Sequence, residues 1–245
     1  MSIFVDIGNS NIKLVSYDKG FGKLDSIKYD KSLFKTSISE KVKEISVPEE
    51  IFCVCVAEDH VQNEFSELCL DTWNIAPKYF TASKSCLGVS NAYEDFNQLG
   101  ADRWMAIIAA WDKVKDAVIV IDFGSALTID IVNSEAKHLG GYILPSEHLM
   151  QKTLTVNTNI QSDFEDEKIN LEPGVNTAEC IENATVRATL SFIVDLHETL
   201  NKNCKYRCLI TGGGALKYLA YLSISHEYEP LLVFEGMRLI KESMR

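Results

Sequence analysis

The stretch that decides the fold is Met1–Lys13, MSIFVDIGNSNIK, set beside its echo at Ala117–Val132, AVIVIDFGSALTIDIV. In each, an apolar run ends in an aspartate, one apolar residue and a glycine follow, and small polar residues lead into a second β-rich run. Short apolar runs bounded by turn formers read as buried strands. Asp6-Ile7-Gly8 therefore aligns with Asp122-Phe123-Gly124. A glycine at such a turn lets a ligand approach the main chain closely. Asn9, Ser10 and Ser125 add N–H and hydroxyl donors, which makes each turn a candidate cradle for phosphate oxygens. A carboxylate at the strand end repels phosphate unless a cation lies between them, so Asp6 and Asp122 are read as facing a cation. Either turn alone is also compatible with an ordinary polar hairpin; the repetition is what favours a site.

Working outward, Asn11–Tyr17 and part of residues 20–30 complete an antiparallel meander after the first strand. A helix is expected over 37–46 with Ser37 or Ser39 at its cap. A strand at 50–58, a helix at 60–73 and a strand at 77–83 follow. Leu99–Val114 reads as a helix with Trp104, Ile107, Ile108 and Trp111 on one core-facing side. After Ala117 the order repeats: two strands, a third at 137–146, a helix at 146–157, an acidic solvated loop at 160–173 and a long helix from Asn176 to Leu200. The sequence 206–220, YRCLITGGGALKYLA, reads as strand, Gly-rich turn and helix, and a last strand and helix fill 228–244. Hairpins followed by alternating helices and strands indicate an α/β fold with mixed sheets, duplicated within one chain. The expected domains are 1–115 and 116–245.

Composition sets bounds. The chain has 245 residues, 46% of them hydrophobic, enough for a sizeable core. A net charge of −11 argues against bulk binding to nucleic acid or an anionic membrane. Neither a P-loop nor a Rossmann glycine fingerprint is present. The 7 cysteines are odd in number. Cys53 with Cys55, and Cys204 with Cys208, lack a second ligand pair, so buried thiols in a reducing cytosol are favoured over zinc. His60, His138, His148, His197 and His226 have no metal-ligand spacing. Without a signal-peptide pattern or a membrane-length apolar run, a soluble cytoplasmic protein is expected.

DIGNSNIK, LGADR, DFGSALTID, GGYILPS, GVNT and ITGGGA, in this order, resemble the type III pantothenate kinases of the acetate and sugar kinase/Hsp70/actin superfamily. The resemblance implies two ribonuclease H-like domains with a cleft between them, and ATP-dependent phosphorylation of pantothenate, the first step of coenzyme A synthesis. It also implies a homodimer, Mg²⁺ and a monovalent cation, K⁺ or NH₄⁺. By the same resemblance Asp6, Ile7, Gly8, Asn9, Ser10, Asn11, Ile12 and Lys13 form the first ATP-phosphate loop, and Ser125 belongs to the second. Asp122 matches the monovalent-cation ligand, and Asp6 is a candidate for Mg²⁺. Gly100, Ala101, Asp102 and Arg103 match the pantothenate motif, with Asp102 as proton acceptor. Tyr93 and Thr177 match further substrate contacts, Thr177 from across the dimer. The residues agree with that chemistry: a carboxylate can take the acceptor hydroxyl's proton, and an arginine at a helix start suits a carboxylate substrate. Lys13 reads equally as a phosphate ligand or a solvent-facing strand residue. The alternatives are another small-molecule kinase of the superfamily, or a non-catalytic regulatory homologue.

Overall fold

The computed structural model describes residues 1–158, 160, 169–202 and 204–244. It divides into two compact units, Met1–Asp112 with Leu231–Arg245, and Lys113–Pro230.

The first unit carries β1 (Ser2–Ile7), β2 (Asn11–Tyr17), β3 (Asp25–Lys28), α1 (Phe34–Glu44), β4 (Glu50–Cys55), α2 (Asp59–Trp73), β5 (Lys78–Tyr79), the small pair β6 (Ser85–Cys86) and β7 (Val89–Ser90), and α3 (Ala101–Val114). The second carries β8 (Val118–Phe123), β9 (Ala126–Val132), β10 (His138–Pro145), α4 (Glu147–Asn157), α5 (Thr177–Leu200), β11 (Arg207–Thr211), α6 (Ala215–Tyr218) and β12 (Glu227–Tyr228), before α7 (Leu232–Ser243).

The duplication is explicit in the sheets. The orders are β3-β2-β1-β4-β5 and β10-β9-β8-β11-β12, the same topology twice. In both, an antiparallel meander continues into parallel pairing, β1 with β4 and β8 with β11. This is the tandem ribonuclease H-like architecture expected from the sequence. The central strands β1 and β8 are apolar on both faces, as strands covered on both sides must be. Ile3, Val5, Phe34, Phe65 and Trp73 belong to the core of the first unit. Ile119, Ile129, Leu190 and Ile210 belong to that of the second.

Four expectations need correcting. The domain boundary expected at 115/116 leaves the last helix with the second half, yet α7 groups with the first unit. The cause is long-range packing: Gly236 brings its backbone against the Met105 carbonyl, too close for any side chain. Lys241 Nζ also donates to Ser2 Oγ at 2.6 Å and sits 5.1 Å from the Phe52 ring centre, a geometry that favours a desolvated cation. Second, the helix expected to start at Ser37 or Ser39 begins at Phe34, preceded by a 3-10 turn capped by Asp30. Third, α3 is buried on most of its surface, Ala101, Arg103 and Met105 included, while Trp111 is only half-buried. Fourth, the acidic loop at 160–173 is partly packed, although residues 161–168 lie outside the described residues. Ile169 and Leu171 lie against the second core, and the Glu172 carbonyl accepts from Asn183 Nδ2 at 2.8 Å.

Candidate active site

In the first unit, the turn after β1 is closed by the Gly8 N–H donating to the Asn11 carbonyl at 3.0 Å. Asp6, the penultimate residue of β1, faces Lys13 across the antiparallel register. Lys13 Nζ lies 3.2 Å from Asp6 Oδ2, and the Asp6 side chain is 7% exposed. Lys13 is therefore turned to the Asp6 carboxylate. Val56 ties this turn to β4: its N–H donates to the Ile7 carbonyl at 3.0 Å, and its carbonyl accepts from Asn9 Nδ2 at 3.3 Å. From the other side, Lys31 Nζ donates to Asn9 Oδ1 at 3.3 Å. Tyr29 donates its hydroxyl to the Gly8 carbonyl. Burial first, then the negative neighbours Cys55, Glu58 and Asp6, push that phenol up to about 12.

The same end of β4 meets the start of α3. Gly100 lies against Val56, a Cβ there falling 3.7 Å from Val56 Cγ1 and 2.6 Å from Asp102 Oδ1. Gly100 is thus the residue that leaves room for the Asp102 carboxylate. Asp102 Oδ1 accepts from the Arg103 N–H at 2.7 Å, in the first helical turn, where the exposed amides favour an anion. Arg103 is buried, 7% exposed. Its Nη1 donates to the Tyr93 hydroxyl at 3.1 Å, and the guanidinium carbon lies 5.9 Å from the centre of that ring. Tyr93 is held in turn by its N–H to Asn91 Oδ1 at 3.0 Å. Cys55 at the end of β4 reports how close these groups are. Its thiol is pushed up, chiefly by burial, with Asp6, Asp59 and Asp102 all adding to the shift. Asp6, Asp102, Arg103 and Tyr93 thus gather at the carboxyl ends of β1 and β4, where open α/β sheets place their ligands.

In the second unit the turn after β8 is shorter, with the Gly124 N–H donating to the Ala126 carbonyl at 3.1 Å. Ser125 is exposed at its tip and Asp122 is half-buried at the strand end. The Gly-rich turn after β11 is packed against it. Gly212 has φ +93°, and a Cβ there would strike Asp122 Oδ1 and approach Phe123 N to 2.6 Å. The Gly214 N–H donates to the Phe123 carbonyl at 3.0 Å. A cavity of about 330 Å³ opens here, with Phe123, Gly124, Gly213, Gly214 and Tyr218 in its wall. Glu147 holds that wall together, accepting from Lys217 Nζ at 2.8 Å and from the Tyr218 hydroxyl at 2.7 Å. Burial and this carboxylate both push the Tyr218 phenol up. Thr177 is the first residue of α5. Its side chain is exposed, because Asn176 and Glu179 supply the cap.

The family model described as type III pantothenate kinase matches residues 2–199. The chain belongs to the type III pantothenate kinase family. The activity that goes with it is phosphorylation of pantothenate in coenzyme A biosynthesis. The type III pantothenate kinase of Hydrogenovibrio crunogenus is 30% identical over 252 residues, covering 100% of both chains. That of Nitrosococcus oceani is 29% identical, covering 100% of this chain and 96% of the relative. Among solved structures, a Baf family protein from Campylobacter jejuni shares the fold, with a TM-score of 0.60 and 22% identity over 99% of this chain and 98% of that one.

Sequence reasoning did not single out Val56, Tyr29, Lys31 or the Glu147–Lys217–Tyr218 group, which the structure places at the two turns. Lys217 carried a signal, lying three residues past the glycines of TGGGALK, and Glu147 follows the Pro-Ser cap of α4. Tyr29 carried none. Among the described residues no cluster of three or more His, Cys, Asp or Glu is arranged to hold a metal, and no helix is long and apolar enough to cross a membrane.

Proposed function

We propose that this chain transfers the γ-phosphoryl group of ATP to the primary hydroxyl of pantothenate, with Asp102 as the proton acceptor. The observation that carries this reading is the buried Arg103, bonded to Tyr93 and adjoining Asp102 at the start of α3. A guanidinium fixed by a tyrosine offers an anionic, hydroxylated substrate both a counter-charge and a hydrogen-bonding edge. The acceptor oxygen forms a bond to phosphorus, the bond to ADP breaks, and the hydroxyl proton passes to the Asp102 carboxylate. Transfer of this kind depends on positioning and on neutralising charge. Asp6 through Lys13 form the first phosphate turn, and Ser125 belongs to the second.

The cation assignments follow the donors present. Mg²⁺ typically takes one or two protein carboxylates, with phosphate and water completing its shell. Asp6 is the carboxylate placed to hold it, and the ion when bound neutralises developing phosphate charge. The Asp122 carboxylate, with Oδ1 buried beside Gly212, fits a monovalent cation, K⁺ or NH₄⁺. The protein acts as a cytoplasmic homodimer in which Thr177, exposed at the start of α5, reaches the partner's substrate.

A coupled ADP-release assay with pantothenate, with and without K⁺ or NH₄⁺, tests the reading. Turnover that rises with the monovalent cation is expected. No turnover in any salt sinks the activity, and turnover indifferent to the cation sinks the role of Asp122.

A further inference from the structure

Tyr29 grips the first turn at two points. Its N–H donates to the Ser10 carbonyl at 3.3 Å, and its hydroxyl donates to the Gly8 carbonyl. The ring delivering that hydroxyl is fixed: it is buried, and it meets fully buried Phe34 edge-on at 4.7 Å. A trans peptide is planar, with its C=O and N–H on opposite sides. Holding the Gly8 carbonyl toward Tyr29 therefore turns the Asn9 N–H to the opposite face of the turn. Gly8 has no Cβ, so without an anchor this peptide is the one in the turn most free to rotate. The Asn9 side chain is already engaged, by Val56 and Lys31, which leaves its amide as the group whose direction Tyr29 sets.

We propose that Tyr29 is a positioning residue for phosphate binding: its hydroxyl fixes the Gly8–Asn9 peptide so that the Asn9 N–H is presented to the anionic oxygens of the ATP triphosphate. The inference rests on the reading of this turn as a phosphate turn.

Calorimetric ATP titration of the wild type, Tyr29→Phe and Tyr79→Phe tests it. Tyr79 is a control in the same unit whose hydroxyl bonds Ser66 Oγ at 2.9 Å and the Gln62 carbonyl at 3.1 Å. Tyr29→Phe should bind ATP about tenfold more weakly, the scale of one lost hydrogen bond that aims a charge-binding group. KM for ATP should rise in proportion while kcat and KM for pantothenate stay put, and Tyr79→Phe should keep wild-type ATP affinity. Unchanged ATP affinity in Tyr29→Phe overturns the role of Tyr29 and leaves the phosphate turn standing. An equal loss in Tyr79→Phe also overturns it, because the effect then follows stability. A wild type that binds no ATP overturns both. Independently of any variant, the Asn9 amide resonance should shift and gain protection from exchange when ATP is added; an unaffected amide overturns the proposal.

Discussion

Lys13 Nζ lies 3.2 Å from Asp6 Oδ2, and the two residues face each other directly across the β1–β2 register. A positive charge from the chain itself thus lies beside Asp6. One strand partner supplies positive charge beside the turn after β1 and the other holds it in place. Breaking a buried pair from one side strands a charge, whereas removing both sides costs less. Lys13→Met should lower stability by about 1–3 kcal/mol in urea denaturation, and the double variant with Asp6→Asn should recover part of that loss. A double-variant loss equal to the sum of the two single losses would show that the pair is not coupled. ATP affinity should fall in both.

Asp102→Asn keeps an oxygen able to accept from the Arg103 N–H, the 2.7 Å bond that shapes the start of α3. The fold and ATP binding should survive. Loss of the proton acceptor should lower kcat by about 10²–10⁴-fold. Stopped-flow turnover beside ATP titration separates the two effects. A variant with wild-type kcat removes Asp102 from the chemistry.

The Arg103–Tyr93 contact predicts a graded pair of effects on pantothenate. Arg103→Lys keeps the charge but loses the planar fork that reaches the Tyr93 hydroxyl at 3.1 Å. KM for pantothenate should rise strongly while KM for ATP changes little. Tyr93→Phe removes one hydrogen bond from the same assembly and should raise KM for pantothenate by a smaller factor, about fivefold. If Arg103→Lys instead raises KM for ATP, the arginine serves the nucleotide.

What the sequence made legible was local in origin. The apolar run before Asp6 and its echo before Asp122 fixed two strands and two turns, because burial on both faces leaves a continuous apolar signature. The family resemblance named Tyr93 and Arg103 as separate substrate contacts, but their pairing came only from the structure, since nothing local joins residues ten positions apart through a loop. The fate of α7 was hidden for a related reason. Its attachment depends on Gly236 meeting Met105 and on Lys241 entering a ring of Phe4, Tyr17 and Phe52, contacts that no periodicity encodes. The start of α1 was misread because Ser37 and Ser39 are good caps in isolation. In the fold their hydroxyls bond back to the Leu33 and Thr36 carbonyls from inside the helix. Tyr29 was invisible because its hold on the Gly8 carbonyl depends on where one hydroxyl points.

Buried thiols and phenols predict an alkaline limit to the fold. Burial pushes Cys69, in the first unit, and Cys208, in the second, from 9.0 up to about 12, and Tyr29 from 10.0 up to about 12. Each of these groups is neutral when protonated, and the folded state holds its proton to higher pH than the unfolded chain does. Their stabilising contribution is therefore complete below about pH 9, and it drains away as pH rises toward 12. Each group can contribute a slope of at most about 1.4 kcal/mol per pH unit in that window. Urea midpoints should be flat across this set of groups below pH 8 and fall steadily from pH 9 to 11. Cys208→Ala starts lower at pH 8, because it opens a small cavity in β11, but its stability should fall less steeply with pH. The double variant with Cys69→Ala should be flatter still, with Cys53, Cys55, Tyr29, Tyr79 and Tyr218 left to titrate. A wild type equally stable at pH 8 and pH 10.5, or a double variant with the wild-type slope, would show that these groups do not control alkaline unfolding.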